Sequence, residues 1–70
     1  MPAKIEPVSG SSNIAGVGYD PDTQELSIRF HSGRTYTYDN VPPSVHEGLI
    51  SAGSMGQFFN ASIKNVYSVR

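Results

Sequence analysis

Few side chains in this sequence are equipped for chemistry, and their spacing narrows what that chemistry is. His31 belongs to a Ser-Gly turn and His46 to a helical stretch, and neither has a nucleophile at motif spacing. Asp20 and Asp22 are paired carboxylates, the pattern general acid–base work needs. They flank Pro21 in Asp20-Pro21-Asp22-Thr23, however, and an acceptor, a proline and a second acceptor are what a type I turn asks for. No G-x-S-x-G elbow, H-E-x-x-H helix or G-x-x-x-x-G-K-[ST] loop is present. With no cysteine and two histidines, a metal site would have to recruit carboxylates. The expectation is a protein without catalytic residues, metal or cofactor.

Anion binding is better provided for. Ser54-Met55-Gly56-Gln57 spells a capping box, and the helix it opens offers free backbone N–H groups and a favourable dipole. Gly56 leaves room there. Asn60 and Lys64 lie four residues apart and share a face of that helix. With Arg29 or Arg34 they could hold a phosphate. The candidate ligand-binding residues are therefore Arg29, Arg34, Gly56, Asn60 and Lys64; ordinary solvated surface is the alternative for all of them.

Composition bounds the partners. The chain has 70 residues and a formal charge of −1, from five Lys and Arg against six Asp and Glu. Its few, scattered cations do not suit avid, nonspecific nucleic-acid binding, but a small anionic ligand remains compatible. No apolar run approaches the ~20 residues of a membrane span, and the first residues lack the apolar stretch of a secretory signal. The expected location is the cytoplasm. A core this small rarely supplies more than roughly 3–5 kcal/mol unless subunits associate, which makes a homo-oligomer the expectation.

The elements that must position these residues are legible as alternation. Leu26 to Tyr38 reads as two strands around a turn. A two-residue loop at Ser32-Gly33 would send the apolar residues of the two strands to opposite faces. A three-residue loop, His31-Ser32-Gly33, pairs Phe30 with Arg34, Ile28 with Tyr36 and Leu26 with Tyr38, with Gly33 at positive φ. Leu26, Ile28, Phe30, Tyr36 and Tyr38 then share the core face, and Ser27, Arg29, Thr35 and Thr37 share the other. In this register Tyr36 and Tyr38 lie beneath helices rather than on an open platform for stacking bases.

Ile14 to Tyr19 is the preceding strand. A loop of Asp20 to Thr23 pairs Tyr19 with Gln24, Val17 with Leu26 and Ala15 with Ile28, leaving Ile14 on the wrong parity and so at a bulge, a strand start or an interface. Gly16 and Gly18 face the polar side. They signal either a close approach by another backbone or ligand, or an edge strand with nothing to cover; the second reading is the plainer one. Pro43 suits the first turn of a helix presenting Val45, Leu49 and Ala52, with Gly53 as a left-handed stop. The next helix presents Phe58, Phe59 and Ile63. The fold class is α+β, a three-stranded antiparallel β-meander covered on one face by two short C-terminal helices. Residues 1–11 form an extended or mobile arm, 12–67 a single domain and 68–70 a tail.

Ser12-Asn13-Ile14-Ala15-Gly16-Val17-Gly18-Tyr19-Asp20-Pro21, Leu26 with Phe30-His31-Ser32-Gly33, Tyr36-Thr37-Tyr38, Val41-Pro42-Pro43 and Phe59-Asn60-x-x-Ile63-Lys64 together resemble the KTSC domain. That family is named for the C-terminus of some lysyl-tRNA synthetases and also occurs as small stand-alone bacterial and phage proteins. The resemblance runs from about Ser11 to Tyr67 and implies RNA as one candidate ligand. Met55, Ala61 and Ser62 stand where many relatives carry basic residues. The expected function is a non-enzymatic binding domain for RNA or a nucleotide-type anionic ligand. The alternative is a protein–protein assembly module using strand edges or the Gly/Ser/Thr face.

Overall fold

A computed structural model describes residues 4–9 and 11–69. Met1 to Ala3 and Gly10 of the expected arm, and Arg70 of the expected tail, lie outside the described residues. Four antiparallel strands form one sheet in chain order: β1 (Glu6–Pro7), β2 (Ile14–Asp20), β3 (Glu25–Phe30) and β4 (Thr35–Tyr38). Two helices follow, α1 (Pro43–Ser51) and α2 (Met55–Ser62). The α+β class stands, but the sheet has four strands rather than three.

The β3–β4 hairpin follows the alternation. Leu26 pairs with Tyr38, Ile28 with Tyr36 and Arg29 with Thr35. The Phe30 N–H donates to the Arg34 carbonyl at 2.8 Å, which closes the three-residue loop, and Gly33 sits at φ 95°. An L-residue at that φ carries a steric cost that glycine escapes.

The β2–β3 register differs from expectation by two residues. Tyr19 pairs with Leu26 and Val17 with Ile28. The Asp20 carboxylate does accept from the Asp22 N–H at 3.0 Å, as the turn reading requires. The loop nevertheless runs on to Gln24, which adopts φ 59°, and the ladder closes at Asp20 and Glu25. A slip of two preserves the faces, so Val17 and Tyr19 still point at the helices. Between Ile14 and Gly16 a bulge changes the parity. It turns Ile14 inward opposite Phe30, where it is fully buried.

The glycines of β2 answer to the arm. A Cβ on Gly18 would lie 2.4 Å from the Lys4 carbonyl oxygen and 3.0 Å from Ile5 Cα. On Gly16 it would lie 2.7 Å from Ile5 Cγ2. The plainer reading, an edge strand with nothing over it, is therefore wrong: residues 4–6 press their own backbone onto it. Beside Gly18, the Ser27 hydroxyl meets Thr37 Oγ1 at 3.1 Å, and Ser27 as a residue is 5% exposed.

The core is Ile14, Val17, Leu26, Ile28, Tyr38, Val41, Leu49, Phe59 and Ile63. Val41 fixes the entry to α1, its N–H donating to the Gln24 carbonyl and its own carbonyl accepting from the Tyr19 hydroxyl. Pro43 opens the helix as expected, with Pro42 as N-cap and no side-chain cap. Gly53 is not the left-handed stop: α1 ends at Ser51, and Ala52 caps it in an extended conformation. Gly48 is a contact with α2 rather than with the sheet, because a Cβ there would lie 2.7 Å from Phe58 Cζ. Ser54 caps α2 by accepting from the Gln57 N–H at 3.3 Å. After α2 the chain turns at Asn65 (φ 64°) and runs extended beside β4, where Val69 bridges to Tyr38.

Candidate ligand-binding cavity

A cavity of about 730 Å³ opens between the end of the β3–β4 hairpin and α2, within the roughly 300–1,000 Å³ usual for small-ligand sites. Its inner wall is aromatic. Phe59 lies 5.4 Å from Phe30 and 5.7 Å from Tyr38 by ring centroid, both edge to face, and Tyr36 sits edge-on to Phe30 at 5.8 Å. Register supplies three of these rings from one sheet face, and α2 supplies the fourth. Tyr38 is buried and Tyr36 half-buried, so the inward orientation expected of the two phenols holds. The structure adds that both also wall a cavity. Burial pushes the Tyr38 phenol up from its usual value, with the neighbouring Tyr36 contributing.

The rim is polar and exposed. Arg34 rises from the hairpin, where its Nη1 donates to the Tyr36 hydroxyl at 3.4 Å. That contact raises the guanidinium further above an already high value. Asn60 on α2, with Lys64 and Asn65 just beyond it, lines the other side. Gly56, Asn13 and His31 complete the mouth. The loop holding Asn13 is tied to the hairpin turn: the His31 N–H donates to the Asn13 carbonyl at 2.9 Å, and His31 Nε2 lies 3.1 Å from the Ser11 carbonyl. A carbonyl only accepts, so the ring donates through Nε2–H.

Of the five residues singled out from the sequence, Arg34, Gly56, Asn60 and Lys64 converge on this cavity. Arg29 does not. It pairs with Thr35 on the opposite sheet face and points its Nε at the Thr35 hydroxyl at 3.5 Å. Sequence reasoning missed Asn13, Asn65 and Tyr67. The first depends on a β-bulge and a tied loop, the others on a left-handed turn after α2, and none announces itself in local spacing.

A second, smaller cleft of about 360 Å³ adjoins the first and shares Ser12, Asn13, Gly56 and Asn60 with it. Among the described residues no group of three or more His, Asp or Glu is placed to hold a metal ion, and no helix is long and apolar enough to cross a membrane.

The hairpin, the glycines of β2 and the Tyr-x-Tyr strand walling an aromatic cavity define a small α+β domain, and its sequence gives the class directly. The family model of the KTSC domain matches residues 10–67, and the chain belongs to that family. A protein of Tsukamurella paurometabola is 47% identical over 60 residues, covering 86% of this chain and 88% of that protein. A lysine–tRNA ligase of Nostoc punctiforme is 48% identical over 56 residues, which are 80% of this chain and 10% of the ligase. The crystal structure of a KTSC domain protein from Yersinia pestis matches with a TM-score of 0.93 at 42% identity, covering 99% of this chain and 96% of that one.

Proposed function

We propose that this protein is a non-enzymatic binding domain whose aromatic cavity receives a nucleotide, free or as part of single-stranded RNA. The observation that carries this reading is the meeting of two unlike surfaces in one cavity. Phe30, Tyr36, Tyr38 and Phe59 offer apolar ring faces and edges, while Arg34 and Lys64 stand at its rim. A planar base packs against the first, where stacking on aromatics contributes about 1–3 kcal/mol. A phosphate is met by the second, the guanidinium matching it with a rigid fork of donors. The similarity to part of a lysine–tRNA ligase supports an RNA ligand without identifying one.

Binding of nucleoside 5′-monophosphates and short oligoribonucleotides, followed by amide chemical shifts at two salt concentrations, tests it. Affinity should fall with salt, with a log–log slope on the order of −1.4 if two phosphates of a single strand are neutralised. An Arg34→Ala, Lys64→Ala double variant should lose about tenfold in affinity and flatten that slope. No binding at millimolar ligand, or equal binding by the double variant, would overturn the reading. The competing role, an assembly module, is favoured by the exposure of Ile50, Val66 and Val69. A mass that grows with concentration while nucleotides shift nothing would decide for it.

A further inference from the structure

We infer that the site is built for a ribonucleotide rather than a deoxyribonucleotide, the sugar edge seating in the smaller cleft; this rests on the nucleotide reading above. The two hollows share Ser12, Asn13, Gly56 and Asn60, so one ligand can occupy both. Their linings divide the chemistry. Arg34 and Lys64 line only the aromatic cavity, whereas the cleft is lined by serines, asparagines, a glutamine and glycine, with no charged group. A second phosphate would enter that cleft without a cation to meet it. A neutral group that both donates and accepts suits it better, because amides present a carbonyl and an NH2 side by side.

Two of the three serine hydroxyls at the cleft, those of Ser11 and Ser54, are already oriented. Ser11 Oγ accepts from the N–H groups of Asn13 and Ile14, at 3.3 and 3.0 Å, and Ser54 Oγ accepts from the Gln57 N–H at 3.3 Å. Each keeps its own O–H to donate. The vicinal 2′- and 3′-hydroxyls of ribose match such a lining. Removing the 2′-hydroxyl takes away one of the two neighbouring groups with which this lining can hydrogen-bond.

Gly56 provides the probe. It stands where the two hollows join, and an added Cβ would meet only Asn13 Nδ2, at an ordinary 3.5 Å. Alanine is also the better helix former, so Gly56→Ala should fold while narrowing the passage. The experiment titrates the full chain with the four ribonucleoside 5′-monophosphates and their 2′-deoxy counterparts, followed by amide shifts. The ribonucleotides should bind about tenfold tighter, and Gly56→Ala and Asn60→Ala should each erase that preference while keeping the wild-type circular dichroism. Equal affinity for the two sugars overturns this inference and leaves the nucleotide reading standing. A preference that survives in Gly56→Ala removes it from this cleft. Binding of neither series defeats both.

Discussion

Tyr19 lies flat on His46, with ring centroids 4.7 Å apart and planes within 10° of parallel. The contact joins the last inward residue of β2 to the first turns of α1, and the Tyr19 hydroxyl extends it to the Val41 carbonyl. Burial pushes the imidazole below its usual value of 6.5, the neighbouring Glu47 carboxylate opposing the shift. In the unfolded chain the ring takes up its proton near pH 6.5, so between the two values the unfolded state binds more protons than the folded one. Stability then rises with pH across that window and falls on acidification.

The first expected outcome is a pH-dependent melting temperature that His46→Phe flattens. Phenylalanine keeps a ring against Tyr19 and removes the proton. Thermal unfolding followed from pH 7.5 down to pH 5 should show a steeper fall for the wild type than for the variant. Parallel curves would mean that the imidazole does not couple to folding.

Gly18→Ala addresses the arm. Its methyl would need space held by the Lys4 carbonyl and Ile5 Cα, which are backbone and cannot swing aside. Overpacking of this kind costs about 1–3 kcal/mol, and the least costly relief is for residues 4–7 to lift away. Hydrogen exchange should report this at Val8, whose N–H donates to the Ala15 carbonyl at 3.0 Å. Faster exchange there, with β3 and β4 amides unchanged, is the expected pattern; unaltered protection at Val8 would contradict it.

Gly48→Ala sets two effects against each other. Alanine gains about 1 kcal/mol of helix propensity, while its Cβ meets Phe58 Cζ at 2.7 Å. Tight packing between the helices should win, with a net loss on the order of 1 kcal/mol in urea titration. Adding Phe58→Leu shortens the obstructing side chain and should recover part of the loss.

Tyr38→Ala and Tyr36→Ala should separate stability from binding. Tyr38 is 6% exposed and packs on Phe59, so its removal should cost about 3–5 kcal/mol. Tyr36 is half-buried with its hydroxyl at the rim, and its truncation should cost about half as much while weakening nucleotide binding at least tenfold. Denaturant midpoints and titrations on both variants check the division.

These residues also show what the sequence makes legible. The β3–β4 register follows from alternation on both strands and one glycine placed for positive φ, so one loop length satisfies everything at once. The β2–β3 loop carried equally good turn chemistry, yet Gln24 extended it by adopting φ 59°, a conformation no side chain of that type advertises. Strand β1 was invisible because Glu-Pro has neither alternation nor β-propensity. Its trace lay instead in Gly16 and Gly18, whose missing side chains make room for it. Charge alone groups Arg29 with the site, whereas its parity with Thr35 assigns it to the other face. Asn13 and Tyr67 reach the cavity through long-range ties that a local pattern does not encode.

Val69 both bridges to Tyr38 and borders the aromatic cavity. The outgoing polypeptide thus passes the doorway of the chamber it helps enclose. Breaking the Val69 bridge therefore loosens the frame of that doorway, and a change at this edge is felt by an incoming molecule without touching the rings inside.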